Sequence, residues 1–521
     1  MEHGANCELY GSRATRSKFM GQMAAVSIVI VAALLRFYKL EIKPLHHDEG
    51  VNALFFLRLF GENFYQYDPA NYHGPTLYYF TLIACSVSTL FFGARGLNTF
   101  AIRLVPALFG GATVCLILKL RDRLSTGAVL AGAALAAASP GATYFSRDYI
   151  HESIFVFLTL ALLVAVMHWY GKRAPASLVL AAALAALLFA TKETAVISVA
   201  VLILAFIATV VFASLERTMA GGEPLKSVLR EMLDRFRMPR DTVWWLLGGI
   251  GVFLGLMVLF FSSFLGNYPK GLHDAAGALK FWVHVGAKEH RHSLGTYVFW
   301  LSREELPLLV FGVAGTVVAA FKRQRFALFV GLWAFGLLAA YSFIPYKTPW
   351  LTLNFIIPLA IVGGYAVEVI HGMLLARNRT CAWIWLALFV AAMTSSIYSA
   401  LQLNFYHYDD DRNSYVYAQT RREFLSLVER INTIAHRSGS GEQTSIAVMS
   451  PDYWPLPWYL RDYRRVGYYG QISDANADIV IGSEPQKLQL ALLLDKDYEW
   501  IGSYSLRPGV ILVVFARRHQ T

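Results

Sequence analysis

Four consecutive ionisable side chains follow the first long apolar run of the chain, which ends near Leu40. Segment 46–50 is His-His-Asp-Glu-Gly, and a helix-like stretch comes directly after it. A carboxylate such as Asp48 or Glu49 can accept the proton of an attacking hydroxyl group. Carboxylates together with His47 could also hold a divalent metal ion. Acids after an apolar run are common as solvated loop residues, so this segment alone does not indicate a function.

Ionisable residues recur in the other segments between apolar runs. They are His73, Arg147, Asp148, Glu152, Lys192, Lys347 and a loop with His273, His284, His290, Arg291 and His292. Lys and Arg side chains can bind a phosphate group, including one that leaves in a reaction. A base that faces a phosphate-binding patch suits transfer of a group from a phosphate-activated lipid. Two plainer interpretations stay open: Lys192 and Glu193 could form a local ion pair, and each loop histidine is more often solvated than metal-bound.

Composition predicts a membrane protein. The 521 residues are 56% hydrophobic and 16% charged, and mean hydropathy is +0.45. A soluble protein of this size could not cover so much apolar surface with polar groups, and many uncharged runs approach the length needed to cross ~30 Å of hydrocarbon. The net charge of +11 does not require nucleic acid as a partner, because Lys and Arg are retained in cytoplasmic loops. The four cysteines are scattered and predict neither a disulfide framework nor a cysteine-based zinc site.

Basic residues between the apolar runs predict the topology. Those within residues 13–18 place the N-terminus in the cytoplasm and residues 38–98, a long first loop, outside. If the apolar stretch 76–92 crossed the membrane, the basic cluster 119–123 would lie outside. We therefore predict that 76–92 is a helix in the outer interface. About eleven spans remain, near residues 19–37, 101–118, 126–145, 154–170, 176–190, 195–213, 243–264, 306–321, 326–344, 351–370 and 381–402.

The chain changes character near residue 404. We predict a transmembrane domain at 1–403 and a soluble extracytoplasmic α/β domain at 404–521, because apolar runs shorten and turn residues return there. The predicted elements are a helix at 422–436, strands at 445–450, 478–482 and 510–515, and a helix near 485–494. The aromatic segment 452–460 is interpreted as core and docking surface. The alternative is a stacking surface for a sugar or a lipid headgroup.

Three motifs, in this order, resemble the GT-C superfamily of membrane glycosyltransferases, in particular the protein O-mannosyltransferase and aminoarabinose lipid A transferase group. The first is the acid pair Asp48-Glu49 after span one. The second is segment 73–79, His-Gly-Pro-Thr-Leu-Tyr-Tyr, which is similar to a His/Lys-Pro-Pro-Leu segment on an outer interface helix. The third is Arg147 followed five residues later by Glu152. Segment 103–108, Arg-Leu-Val-Pro-Ala-Leu, also looks like the pattern, and the resemblance covers roughly residues 20–215.

The chain departs from that pattern at several points. Gly74 replaces the first proline, Glu152 stands where Asp is common, and Asp148 is an additional acid. The external tail is not a standard part of those enzymes. It looks closer to a bacterial and archaeal subgroup associated with lipid-linked sugar export.

The resemblance implies an inverting glycosyltransferase of the cell (inner) membrane. It would move a sugar from a polyprenyl-phosphate donor to a hydroxyl of a lipid, glycan or protein acceptor on the outer side. Asp48 would be the base, and Glu49 and Glu152 would orient groups or help to hold a metal ion. The resemblance leaves metal dependence open. Further candidates are His47, His73 and Asp148 for substrate or metal, and Arg147, Lys347 and Arg291 for the donor phosphate.

Two other classes of protein stay open. A transporter or flippase for lipid-linked sugars would be expected to show charges within spans, broken helices in pairs and internal repeats, whereas the strongest polar clusters here lie in loops. An accessory protein that positions a partner enzyme is the other alternative, and the external tail is its best support.

Overall fold

Long uncharged segments fold into helices, because in lipid every backbone N–H and C=O group needs a partner within its own segment. The computed structural model describes residues 2–70, 73–219, 224, 226–227, 230, 242–285, 292–474 and 476–518. Its first helices are α1 (Glu2–Phe37), α2 (His47–Glu62), α3 (Thr76–Phe92), α4 (Thr99–Ile117), α5 (Thr126–Ala138), α6 (Pro140–Ser146), α7 (Glu152–Lys172) and α8 (Ala176–Phe189). The next are α9 (Ala195–Met219), α10 (Thr242–Phe261), α11 (Lys270–Val285), α12 (Thr296–Glu304), α13 (Leu306–Phe321), α14 (Arg325–Phe343), α15 (Leu353–Arg377) and α16 (Arg379–Leu401). The predicted fold class, a polytopic α-helical membrane protein with a small sheet domain after the helices, is confirmed.

Helix α15 is the centre of the bundle, and most of its length is buried. It packs against α5, α13, α14 and α16. A Cβ atom on Gly364 of α15 would come within 2.2 Å of the backbone nitrogen of Gly132 in α5. Small residues at such points let two helix backbones approach closely, and close packing of this kind stabilises helix pairs in lipid.

Contacts with the C-terminal domain show how α3 lies. Before α3, the backbone N–H of Leu45 donates to the hydroxyl of Tyr459 (2.9 Å). After α3, the indole of Trp458 donates to the hydroxyl of Thr99 (3.1 Å). Because the chain meets the same domain on both sides of α2 and α3, and α2 is too short and charged to cross, α3 does not cross either. Its length and composition alone would have allowed a span.

The remaining apolar helices alternate between two faces of the bundle. We call the face that contacts the C-terminal domain the domain face. On the opposite face Gln324 donates to the backbone of Arg123 (3.1 Å), and Arg323 pairs with Glu216. By length and composition, nine helices of the described residues could cross a membrane, or eleven if two bent pairs count as one span each. The alternation gives α1, α4, α5–α6, α7, α8, α9, α10, α13, α14, α15 and α16 as the crossing segments, with α8 in place of α3.

Residues beyond α16 form a five-stranded sheet with helices on both faces. The elements are α17 (Glu423–Arg437), β1 (Ser445–Val448), α18 (Leu456–Tyr459), β2 (Arg465–Tyr468), β3 (Ile479–Ser483), α19 (Lys487–Leu494), β4 (Tyr498–Arg507) and β5 (Val510–Arg517). The strand order is β2-β1-β3-β5-β4, parallel among β1, β2 and β3 and antiparallel at β5. Successive residues of β1 face opposite sides, so Ile446 belongs to the buried cluster that contains Leu427 of α17, and Ala447 belongs to the one that contains Leu490 of α19.

Sequence patterns predicted the inner strands of this sheet but not its two edge strands. The strands predicted at 445–450, 478–482 and 510–515 correspond to β1, β3 and β5. β2 and β4 are the edge strands, and they contain many exposed or half-exposed side chains. Strands of that kind lack the apolar run by which a buried strand is recognised.

The position of α3 predicts a labelling result. Arg95 is exposed in the turn after α3, so an Arg95→Cys variant with the native cysteines replaced should react with an impermeant maleimide added outside intact cells. The physical reason is that both ends of α3 lie on the domain face, which the basic opposite face predicts to be outside.

Two further cysteine variants serve as controls for this labelling experiment. Gly439→Cys in the C-terminal domain should label like Arg95→Cys, and Lys322→Cys should label only after permeabilisation. If Arg95→Cys behaved like Lys322→Cys, the arrangement of α3 would be wrong.

Candidate active site

A fully buried ion pair fixes the start of α2. Arg103 of α4 donates from Nε and Nη2 to the two carboxylate oxygens of Glu49, at 2.8 and 2.7 Å. The backbone N–H groups of His46 and Tyr149 donate to the same carboxylate at 2.8 and 2.6 Å. Burial raises the pKa of Glu49, but the charge and hydrogen bonds of Arg103, together with Lys43 and the His46 N–H, lower it below its ordinary value. Glu49 is therefore an ionised anchor that joins three segments of the chain. Because its two oxygens already accept these hydrogen bonds, it cannot accept a proton from a substrate.

The guanidinium of Arg103 is equally saturated. Its remaining N–H groups donate to the carbonyl oxygens of Leu40, Lys43 and Pro44, at 3.1, 2.8 and 3.2 Å. An arginine inside an apolar span is costly unless it is paired, and here every donor has an acceptor. Arg103 therefore ties α4 to the loop between α1 and α2.

Asp48 lies one residue before this anchor and has a different environment. It is half-buried in the first turn of α2, where its backbone N–H donates to Nδ1 of His46 (3.1 Å). Within the described part of the chain, no group donates a hydrogen bond to its carboxylate. A negative charge at a helix N-terminus is favoured by the helix dipole. Asp48 is thus a carboxylate held at a fixed place with its oxygens available.

The other acids of the cluster are each paired. Asp148 pairs with Lys43, whose Nζ lies 3.6 Å from the centre of the Tyr144 ring. Burial lowers the pKa of Lys43 to about 8, so at neutral pH the ammonium is still mainly charged. Glu152 pairs with Lys192. The alternative local pair of Lys192 with Glu193 is not formed.

Glu193 instead belongs to the His73 segment. It accepts from the Tyr67 hydroxyl at 2.9 Å and lies 2.8 Å from Nδ1 of His73. His151 stacks edge-on against His73, with ring centroids 5.5 Å apart, and its Nε2 lies 3.0 Å from the carbonyl oxygen of Gly74. Burial lowers the pKa of His151 well below its ordinary value, so this histidine is neutral.

Gly74 stands where the similar motif has its first proline, and the structure explains the difference. Its backbone N–H donates to the carbonyl of Thr191 (3.1 Å), a bond that proline could not make. A Cβ at this position would lie 2.1 Å from the carbonyl oxygen of Ala190. Glycine therefore allows the segment before α3 to pack directly on the turn after α8.

Arg147 is placed as a helix cap. It donates to the backbone oxygens at the end of α1, at 3.0 Å to Leu35, 3.2 Å to Arg36 and 2.8 Å to each of Tyr38 and Lys39. These carbonyls have no partner inside the helix. The guanidinium is thus engaged without a phosphate, a use that its position in the sequence did not indicate.

Lys347 has a different set of neighbours. It is 1% exposed, and its Nζ donates to the carbonyl of Ile344 at 2.6 Å and lies 3.5 Å from that of His292. No carboxylate pairs with it in the described ranges, and burial lowers its pKa. A buried ammonium without an anionic partner is costly. Arg291, the third phosphate candidate, lies outside the described residues.

The proposed metal ligands do not gather into one site. No group of three or more His, Cys, Asp or Glu side chains in the described ranges is spaced to hold a metal ion. Glu49 and Glu152 are instead engaged by Arg103 and Lys192. The described residues therefore do not fit a metal bound by these acids.

The C-terminal domain completes the surroundings of Asp48. Gln419 and Thr420 donate to the carbonyls of Pro44 and Leu45 at 3.0 and 2.7 Å. Trp350 lies edge-on to both His46 and Tyr417, at 5.9 and 6.1 Å between ring centroids. The segment that carries Asp48 is therefore held between the helix bundle and the domain. The interpretation of 452–460 as core and docking surface agrees with the Tyr459 and Trp458 contacts described above.

Other residues of the C-terminal domain contact His47, which directly precedes Asp48. Arg507 donates to Nδ1 of His47 at 3.3 Å and pairs with Asp452. The Trp454 ring lies 6.0 Å from that of His47. Sequence patterns could not connect Arg507 with His47, because 460 residues separate them.

Loss of the Arg103 anchor should destabilise the protein. Arg103→Leu leaves Glu49 buried without its partner, and breaking a buried pair in this way costs about 3–5 kcal/mol. We expect a clearly lower melting temperature in detergent or nanodiscs. Arg412→Leu, which removes an exposed pair with Asp410, should change melting very little. Equal melting of both variants would show that the buried pair is not an anchor.

Similarity to solved structures agrees with this architecture. The chain matches no known protein-family model and no curated relative. It is similar to ArnT from Cupriavidus metallidurans, in the apo state and bound to undecaprenyl phosphate, with TM-scores of 0.65 and 0.63, 16% identity, and coverage of 94% of this chain and 97% of that one. It is also similar to the Archaeoglobus fulgidus oligosaccharyltransferase, in a complex with Zn and sulfate, with a TM-score of 0.50, 15% identity and coverage of 93% and 73%. The resemblance seen in the motifs is thus matched by the structure: the chain has the fold of these solved structures, and its apolar helices are those of a multi-pass membrane protein.

Proposed function

We propose that this protein is a membrane glycosyltransferase that moves a sugar from a polyprenyl-phosphate donor to an acceptor hydroxyl at the domain face. The observation that carries the proposal is which acidic side chains near α2 have a cationic or histidine partner. Glu49, Asp148, Glu152 and Glu193 are each held by a cation or a histidine, whereas the carboxylate of Asp48 accepts no hydrogen bond within the described residues. A general base needs a carboxylate that can reach the substrate proton.

The proposed reaction uses Asp48 as the base. Asp48 takes the proton of the acceptor hydroxyl as its oxygen attacks the anomeric carbon of the donor sugar. The bond between that carbon and the phosphate oxygen breaks, and the polyprenyl phosphate leaves with the electron pair. Attack opposite the leaving group inverts the anomeric centre. The role of the paired acids is to hold the surrounding loops, which keeps Asp48 in position.

Lys347 is the proposed partner of the donor phosphate. It is buried, cationic and free of an acidic partner among the described residues, and it precedes Trp350, which packs on His46 beside Asp48. An ammonium there stabilises the negative charge that develops on the leaving phosphate. Arg147 is assigned to the cap of α1 instead. The undecaprenyl phosphate bound by the similar ArnT structure supports a lipid of this chemical class.

The basic residues support the proposed location. Those at 119–123, 172–173 and 322–325 lie at the ends of spans opposite the domain face. Because positive charge is retained in the cytoplasm, these positions support a location of Asp48 and the C-terminal domain on the outer side of the cell (inner) membrane. A polyprenyl-phosphate sugar, rather than a nucleotide sugar, suits that side.

Replacing Asp48 should abolish transfer. Asp48→Asn keeps the shape of the side chain but removes the proton acceptor, and general-base catalysis supplies about 10²–10⁴ in rate. We expect at least that loss when purified protein is incubated with a panel of polyprenyl-phosphate sugars and products are measured by mass spectrometry. Melting temperature should stay unchanged.

Glu41→Gln is the matched control, because Glu41 is an exposed acid of the same loop, and it should transfer sugar normally. Near-normal turnover by Asp48→Asn would remove the assignment of the base. Movement of labelled lipid across vesicles, with no transfer by the wild type, would favour the transporter.

Replacing Lys347 should weaken use of the donor. Lys347→Met removes the charge and should raise the KM for the donor by about 10- to 100-fold, the usual range for a lost charged hydrogen bond. Lys347→Arg should recover part of the loss. Lys322→Met, an exposed lysine on the opposite face, serves as control. An unchanged donor KM for Lys347→Met would place the phosphate elsewhere.

A further inference from the structure

A cavity of about 380 Å³ lies between α2 and the C-terminal domain. Its volume is within the range of small-ligand sites, about 300–1,000 Å³. The lining residues are His47, Val51, Leu54, Phe55, Arg58, Asp68 and Trp454. They come from α2, the loop after it and the C-terminal domain, and none belongs to a membrane-spanning helix. A ligand here would be reached from the aqueous side, so the cavity does not suit the lipid tail of a donor.

Trp454 is a preformed aromatic wall of this cavity. It is half-buried and stacks on Tyr453 with ring centroids 5.6 Å apart and an angle of 30°, and Tyr453 in turn lies against Tyr468 at 5.0 Å. Gly50 of α2 allows the segment to approach, because a Cβ there would lie 2.6 Å from the Cβ of Pro455. The ring is therefore fixed before any ligand arrives, which reduces the entropy lost on binding.

The polar groups of the cavity surround this apolar wall. His47 is neutral, because burial lowers its pKa to about 4; its Nδ1 accepts from Arg507, which leaves the Nε2–H to donate to a ligand. Arg58 is exposed, forms no ion pair within the described residues, and also lines a second cavity of about 250 Å³ along α2. Asp68 contributes a carboxylate to the lining, one oxygen of which accepts from the backbone N–H of Ala70 at 3.0 Å. An aromatic ring flanked by donors and acceptors suits a sugar, which has an apolar ring face and a rim of hydroxyl groups.

We propose that this cavity, with Trp454 as its stacking wall, is the subsite for an oligosaccharide portion of the acceptor. The inference rests on the proposed function, because it uses the neighbouring Asp48 to identify the ligand as acceptor. His47 connects the two places: it lines the cavity and directly precedes Asp48 in α2. The first sugar ring lies on Trp454, and further rings follow α2 toward Arg58 and the second cavity. The C-terminal domain thereby takes part in acceptor selection.

Glycan binding by purified protein, measured without donor, tests this subsite. Wild type, Trp454→Ala and Trp454→Phe are applied to a printed array of neutral and acidic bacterial oligosaccharides, and dissociation constants are then measured for the best glycan. Loss of the stacking ring should weaken binding about tenfold, and Trp454→Phe should keep most of the affinity. Trp500→Ala is the control, since Trp500 is an exposed tryptophan of the same domain that stacks on Lys487. It should bind like wild type.

The outcomes separate the subsite from the transfer reaction. Binding that is weakened in Trp454→Ala, largely kept in Trp454→Phe and unchanged in Trp500→Ala supports the subsite, whether or not Asp48→Asn loses transfer. Wild-type protein that binds no glycan of the array, or equal affinity of wild type and Trp454→Ala, would overturn it. Equal melting temperatures of the variants exclude a folding defect as the cause.

Discussion

The buried pair of Glu49 and Arg103 is the constraint on which the domain face depends. Removing two charges from water is costly, and the cost is met here because each has a full set of hydrogen-bond partners. Those partners come from the loop between α1 and α2, from the start of α2 and from Tyr149. One interaction therefore brings together segments that are about 100 residues apart. It also orients Asp48, because the next residue of the same helical turn is immobilised.

Charged side chains of the same type have different roles here, depending on whether an ion pair or backbone hydrogen bonds engage them. Asp148 and Glu152 are held by Lys43 and Lys192, and Arg147 closes the end of α1. These contacts hold the surrounding loops in place. Among the described residues, the carboxylate of Asp48 and the ammonium of Lys347 have no such ionic partner, and these are the two groups proposed to meet the substrates. A site of this kind holds its reactive groups still, which is how positioning lowers a barrier.

The C-terminal domain belongs to the same arrangement. It binds the backbone of the segment before α2 through hydrogen bonds of Gln419, Thr420 and Tyr459. Donor and acceptor would then approach Asp48 from different sides, the lipid from the membrane loops and the glycan from the domain. The similar ArnT structures match nearly the whole chain at 16% identity, as expected when burial patterns, rather than particular residues, maintain a fold.

The sequence by itself determined the membrane class, the apolar segments long enough to cross a membrane and the order of the motifs, because apolar length and periodicity are local properties of the chain. It also predicted the inner strands of the C-terminal sheet. Tertiary structure decided which of the acids near α2 are paired. Arg103 and Glu49 are 54 residues apart, and Arg507 is 460 residues from His47. No local pattern reports such distances, so only the folded structure shows that Glu49 is paired with Arg103, places Arg147 at a helix end and brings Trp454 over α2.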